Sequence, residues 1–367
     1  MQVHDLVAAK ARTYLSDSAG LDAAAARQYT SAIMDEDDET LCRLDEVLSD
    51  LQIYQLAVQI MRVGADPSVH PDDDAAVTLA VPLFKVAADR GLADASYTYA
   101  SLLNIGKGVT KDHKAAAEIF KTLARDGNPH ATFNLAGMHL SGNGVDQSTS
   151  KAIGLYDVCG NMGISRGYNA IGLIYFDGKH RGQDFAEAVK WFQKGADECE
   201  HCNMSLAHMY TYGKGVEENH EQALRHNLKA SDGGLVQAQY NVAHAYFTGK
   251  GVEKADLELA AHYYELAARQ GFLLAQINIG NMLRTGYGVP QDLEKAKFYY
   301  GLSAHISPDA KGLLEATEDA IQAVAEGRDP DADNAERNAL YEPPPLKENA
   351  NASGGGGLMS KIKGLFK

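Results

Sequence analysis

The residues best suited to chemistry are few. Cys199-Glu200-His201-Cys202 is a lone C-x-x-C with His208 nearby, and soft thiolates beside imidazoles are a familiar donor set for zinc. A structural zinc needs four converging ligands, and two cysteines with scattered histidines do not supply them at metal-site spacing. Ser148-Thr149-Ser150-Lys151 has the S-x-x-K spacing of penicillin-recognising enzymes, in which a lysine helps activate a serine hydroxyl. Neither S-D-N nor K-T-G, which complete that machinery, occurs anywhere in the chain. The repeated Gly-x-Gly never extends to G-x-G-x-x-G and follows helical patterning rather than a strand, which argues against nucleotide binding. No H-E-x-x-H is present, and the 13 histidines are dispersed. The expectation is a chain with no catalytic residues, no metal site and no cofactor.

Those residues sit in a periodic frame. Gly-x-Gly-Val recurs at Gly106-Lys107-Gly108-Val109, Gly142-Asn143-Gly144-Val145, Gly213-Lys214-Gly215-Val216, Gly249-Lys250-Gly251-Val252 and Gly286-Tyr287-Gly288-Val289. A degenerate copy starts at Gly178, so the first glycines are spaced 36, 36, 35, 36 and 37 residues apart. A second ladder of small pairs before a turn keeps the same step: Ala87-Ala88, Leu123-Ala124, Ala267-Ala268 and Ser303-Ala304. Each unit reads as two helices, the first with Ala131, Leu135 and His139 on one stripe, the second with Ala260, Tyr263, Tyr264 and Ala267 on another. The glycines end the first helix and reverse the chain, and Asp112, Asp256 and Asp292 stand where the second helix begins, as N-caps or first-turn acids. In this frame Cys199 takes the turn-glycine place, Cys202 the small residue opening the next helix, and Cys159 the first-alanine column. Ser148 falls at a helix start, where an N-cap is its role.

These motifs resemble the Sel1-like repeat, a relative of the tetratricopeptide repeat, over residues 51–307. The resemblance implies an all-α fold, a right-handed α/α superhelical solenoid of about seven helix pairs. Residues 1–50 then form a helical N-terminal cap and 308–327 a capping helix, because end repeats need a polar outer face. It also implies protein or peptide partners held on the concave side by the first helices. Carried over column by column, the partner-facing residues are Tyr97, Phe133, Asn134, His208, Tyr240, Asn241, His244, Asn278, Asn281 and Arg284. A subset of such proteins is linked with β-lactam binding, which would make Ser148 the nucleophile. Others carry paired cysteines in every repeat, a pattern this chain lacks.

Residues 328–357 change character, with Pro343-Pro344-Pro345 and four consecutive glycines at 354–357, the composition of a linker. Residues 358–367 are apolar and basic. On a helical wheel Leu358, Met359, Ile362, Leu365 and Phe366 fill an arc of about 120°, with Lys361 and Lys363 at its borders and Lys367 opposite. That layout suits an interfacial helix on an anionic membrane, and resembles the C-terminal membrane-targeting helices of some bacterial positioning proteins. Docking into a partner's groove, or an unstructured end, also fits the pattern.

Composition sets the remaining bounds. The formal charge of −15 leaves no basic footprint for nucleic acid. The acidic runs at Asp35-Glu36-Asp37-Asp38-Glu39 and Asp72-Asp73-Asp74 read as solvated loops. Neither a basic, apolar leader nor a membrane-spanning stretch is found, and four cysteines are few for an oxidising compartment. The expected place is the cytoplasm, with the tip reaching the cytoplasmic face of a membrane.

Overall fold

A computed structural model describes residues 3–35, 37–41, 43–65 and 74–328, and these are helical throughout with no strand among them. The terminal segment opens with α1 (Val3–Thr13), α2 (Ala23–Met34) and α3 (Asp38–Leu41), followed by α4 (Asp50–Met61) and α5 (Ala75–Asp89). Val7, Leu15, Ile33, Leu44, Ile53 and Phe84 close one core across these elements. A reciprocal Ser49–Gln52 capping box starts α4. The lengthened loop between α4 and α5 lies largely outside the described residues.

Regular pairs follow: α6 (Ala93–Ile105) with α7 (His113–Arg125), α8 (Pro129–Ser141) with α9 (Thr149–Asn161), and α10 (Arg166–Asp177) with α11 (Phe185–Gly195). After α12 (Glu200–Thr211) come α13 (His220–Asp232), α14 (Val236–Thr248), α15 (Leu257–Arg269), α16 (Leu273–Thr285), α17 (Leu293–Ser303) and α18 (Pro308–Ala325). The chain divides into two compact units between Asn219 and His220.

The helix ends follow from the sequence. Gly106, Gly142, Gly178, Gly249 and Gly286 cap first helices in the left-handed conformation, which a side chain adopts only with strain. Asp112, Asp256 and Asp292 are all N-caps, each accepting a backbone N–H three residues on at 2.9–3.0 Å. Asp184 does the same for α11. Each such cap contributes about 1 kcal/mol.

Every second helix but one carries an aromatic ring at a single core position: Phe84, Phe120, Tyr156, Phe192, Tyr264 and Tyr300, all buried. The exception is Asn227, also buried, whose Oδ1 accepts from Asn241 Nδ2 at 3.3 Å. The facing position of the first helix is small: Ala100, Ala136, Gly172, Ala243 and Gly280, all buried. Where it is glycine the ring occupies the space of a methyl group. A Cβ on Gly280 would stand 2.6 Å from Tyr300, and one on Gly172 would collide with Phe192.

Second glycines of the loops join neighbouring repeats. Gly144, Gly215 and Gly251 lie against the backbone at the first residue of the preceding second helix, His113, Phe185 and His220 respectively. The degenerate loop has no such glycine, and there the His180 carbonyl accepts a hydrogen bond from Thr149 Oγ1 at 3.3 Å, Thr149 being the first residue of α9. A polar tie thus stands in for a close backbone contact.

The ring-to-glycine contact yields a paired test. Gly280→Ala should lower unfolding stability by about 1–3 kcal/mol through overpacking, even though alanine favours helix. Gly312→Ala, on the exposed side of α18 with nothing within 4 Å of the new methyl, should raise it by about 0.5–1 kcal/mol. Urea unfolding followed by circular dichroism measures both.

Candidate functional site

Three of the sequence-derived rings rest on the aromatic core position of their own repeat. Tyr97 meets Phe120 at 5.9 Å between centroids, Phe133 meets Tyr156 at 5.1 Å, and Tyr240 meets Tyr264 at 5.6 Å. Each is half-buried, so one edge is anchored and the other faces out. Tyr240 is further enclosed by Phe272 at 5.0 Å and stacks on His244, which is exposed.

The asparagines bind these hydroxyls. Asn134 Nδ2 donates to Tyr97 Oη in the preceding repeat at 3.2 Å. Asn278 stands near the hydroxyls of Tyr240 and Tyr264, again one repeat earlier, and its amide partly offsets the upward push of burial on both phenols. Asn281 Oδ1 accepts from Tyr300 Oη at 2.7 Å. Asn241 accepts from Gln237 Nε2 at 3.2 Å and donates to Asn227, so its amide is engaged at both ends. In the third repeat, where the aromatic column carries Asn169, the same step is made by Ser205 Oγ donating to Asn169 Oδ1 at 2.9 Å. The result is a broken ladder of polar side chains between first helices, with rungs at Tyr97–Asn134 (α6 to α8), Asn169–Ser205 (α10 to α12) and Tyr240–Asn278 (α14 to α16).

Two expected positions differ from that pattern. Arg284 is 5 % exposed, enclosed on the last turn of α16 rather than presented on an open face. His208 is half-buried between Phe176 (5.6 Å) and Tyr212 (4.6 Å), and its Nε2 has no hydrogen-bond partner. Lys214 Nζ lies 5.0 Å from the Phe176 ring centroid, close enough for a cation–π contact. Burial, with a smaller contribution from the Lys214 charge, pushes the His208 imidazole down to about 4.

The three described cysteines are packing groups. Cys159 is fully buried, its sulfur beside Gly167, and burial raises its thiol to about 12. Cys202 places its sulfur beside Gly195. Cys199 does not occupy the turn-glycine place the repeat frame assigned to it. It is the N-cap of α12, its sulfur accepting the Cys202 N–H at 3.2 Å, with φ −122°. The turn is one residue shorter here, and Glu198 fills the glycine position. Hydrogen bonding from Cys202 holds the Cys199 thiol below its usual range. Trp191 packs on this cluster, stacked on Tyr168 at 6.3 Å, with Lys194 Nζ 5.0 Å from its ring. No group of three or more His, Cys, Asp or Glu residues able to hold a metal forms among the described residues.

Ser148 is the N-cap of α9, its Oγ accepting the Lys151 N–H at 3.3 Å. The tip residues Leu358, Met359, Lys361, Ile362, Lys363, Leu365, Phe366 and Lys367 lie outside the described residues. Among the described residues no helix is long and apolar enough to cross a membrane.

The tyrosine and phenylalanine anchors of the second helices, Phe120, Tyr156, Tyr264 and Tyr300, were not among the sequence-derived site residues. Their spacing of 36 residues or its multiple was the available signal.

Tandem helix pairs joined by glycine loops, with a hydrogen-bonded ladder on the first helices, define a helical-repeat protein. Six stretches match the Sel1 repeat: residues 93–128, 129–157, 165–198, 201–235, 236–272 and 273–305. The chain belongs to the Sel1 repeat family. The α4–α5 pair precedes the first of these stretches. Over 227 residues the chain is 28 % identical to an uncharacterized protein of Neisseria meningitidis serogroup B, covering 53 % of this chain and 47 % of that one. Protein sel-1 homolog 2 of Mus musculus is 33 % identical over 217 residues, 54 % of this chain and 31 % of the mouse protein. The chain therefore spans about half or less of these relatives. Among solved structures, c5321 of uropathogenic Escherichia coli, a protective antigen displaying an SLR fold, aligns with TM-score 0.58 and 26 % identity. That alignment covers 81 % of this chain and 62 % of c5321. A Sel1 repeat protein from Oxalobacter formigenes aligns with TM-score 0.52 and 24 % identity over 61 % of this chain and 95 % of its own, a likeness of fold. Sel1 repeat solenoids are commonly used in protein–protein interaction.

The low His208 value predicts a pH effect. The unfolded chain takes the proton near pH 6.5 and the folded chain only near 4, so protonation favours unfolding across that window. Stability should fall by about 1–2 kcal/mol between pH 7 and pH 4 from this group, the half-burial trimming the full shift. Urea titrations of the parent and His208→Gln at both pH values isolate the effect, which the variant should lack.

Proposed function

We propose that the chain is a non-catalytic adaptor that binds protein partners on the faces of its first helices and is drawn to an anionic membrane surface by residues 358–367. The observation that carries the binding reading is the phenol–amide ladder. The Asn134–Tyr97 hydrogen bond, and the packing of Tyr240 on Tyr264 and Phe272 beside Asn278, limit the freedom of these side chains, so a ligand would meet a surface with less ordering left to do. Each ring has a half-buried outer edge, and His244 is exposed beside Tyr240, a mixture of apolar and hydrogen-bonding groups that suits an extended peptide. Use of the Ser148 hydroxyl as an N-cap supports a structural role for the S-x-x-K segment.

Membrane recruitment is supported by the tip's composition, five apolar residues on one arc with lysines beside them. Each lysine near an anionic leaflet contributes about 1 kcal/mol, and helix formation over ten residues containing Gly364 takes back part of the gain. Attachment by one copy is weak and reversible, and clustering strengthens it. The cytoplasmic face, where anionic lipids are concentrated, is the matching location.

Two measurements check these readings. Peptides selected from a displayed library against the full chain should bind about tenfold or more weakly to Asn134→Ala plus Asn278→Ala, at the usual ~1 kcal/mol per hydrogen bond. Unchanged affinity in a variant with native circular dichroism would remove the ladder from the binding site. In vesicle co-sedimentation, the full chain should bind anionic but not neutral vesicles in a salt-sensitive way. A chain ending at Gly357 should not bind either, and equal behaviour of the two would end the recruitment reading.

A further inference from the structure

The outer face of the second helices changes character in the last repeat. At one column the exposed residues are Glu118, Gly154, Lys190, Arg225 and His262, and then Phe298. Phe298 is 59 % exposed, and Leu302, one turn along α17, is 39 % exposed. Ile306, at 65 %, lies in the following turn, where earlier repeats have Gly91, Gly127, Gly163, Gly234 and Gly271. Three large apolar side chains thus follow one another, where the α9 repeat exposes two, Val158 and Met162, and has Gly154 in the Phe298 column. Isolated exposed apolar residues need no account, but a run that interrupts a polar column does. Exposed carboxylates flank it, Glu294 one turn before Phe298 and Asp309 just after Ile306. The nearby lysines are committed, Lys295 to Asp292 at 3.9 Å and Lys297 to Glu318 at 3.0 Å.

We infer that this face of α17 is the docking site for the chain's own basic amphipathic segment, residues 358–367. The chemistry is complementary, since the segment has five apolar residues, three lysines and no acid. Tether length matches as well. Ile306 sits just before the 18-residue α18, and Arg328 just beyond its other end, a separation of about 30 Å at 1.5 Å per residue. The 29 residues from 329 to 357 give a chain of that length a root-mean-square reach of about 30 Å. Effective concentration is greatest when reach equals span, on the order of millimolar, so even a weak contact is populated within one molecule. Docking covers the same apolar arc that would enter a membrane, and the two occupations exclude each other. The docking itself does not depend on the segment binding lipid.

The test uses the full chain with the photo-crosslinking residue p-benzoylphenylalanine in place of Phe366, irradiated at low micromolar concentration and mapped by mass spectrometry. Crosslinks should form within one molecule to the stretch 294–309, and should drop at least fivefold in Phe298→Glu plus Leu302→Glu. Both substituted residues are exposed, so the fold should hold, and circular dichroism checks that. Crosslinks that fall elsewhere, form only between molecules, or persist in the double variant would overturn the assignment. A second arm separates this inference from the membrane reading. Without the photoprobe, Phe298→Glu plus Leu302→Glu should bind anionic vesicles severalfold more than the parent, because the segment is released. If neither binds vesicles while the intramolecular crosslink forms, the docking stands and membrane recruitment falls. If both bind equally, the docking does not hold the segment and the inference fails.

Discussion

A ring from each second helix seated against a small residue of the first is the contact on which the other features rest. It sets how closely the two helices approach, and at Gly172 and Gly280 the ring takes the space of the missing methyl. With that distance set, the half-buried rings of the first helices find a support, and the Tyr97 hydroxyl reaches Asn134 of the next repeat. Where the ring is absent, at Asn227, the core position becomes polar and must be satisfied. Asn241 does so, at the cost of an amide that would otherwise face outward. An unpaired buried amide would be more damaging than the lost ring, which explains the pairing.

Much of this was legible in the residues. The glycine ladder located the turns, and Asp112, Asp256 and Asp292 marked second-helix starts that the structure shows as N-caps. Period alone assigns a residue to a column, not to a partner. It could not show that Asn134 would be bonded to a tyrosine one repeat away, because that depends on side-chain direction. Nor could it show that Arg284, at the end of its helix, would be enclosed. Cys199 was displaced by a single residue because its turn, like the one before α18, is one shorter than the turns before α8 and α16, a difference that an averaged step of 36 conceals. The tip lies outside the described residues, and only its composition speaks for it.

The division of labour follows from the placement of polar groups. Local caps and glycines are spent on holding each repeat, and the inter-repeat ladder is spent on holding the first helices in register. The motifs that looked reactive, the C-x-x-C and the S-x-x-K, turn out to serve helix starts. On the proposed reading, what the fold leaves exposed serves recognition. A chain that covers only part of its relatives can still carry such a surface, since each repeat depends chiefly on its neighbours.

Trp191 gives the molecule an optical property. It is the sole tryptophan, and it lies in the first unit, stacked on Tyr168 beneath a lysine ammonium and packed on two thiols. Sulfur and cationic neighbours are quenchers of indole emission, so a loosening of this cluster should brighten it. Excited at wavelengths tyrosine does not absorb, the first unit glows and the second is dark. The unlabelled chain carries its own lamp, and ligand binding or melting can be assigned to one unit by whether that lamp changes.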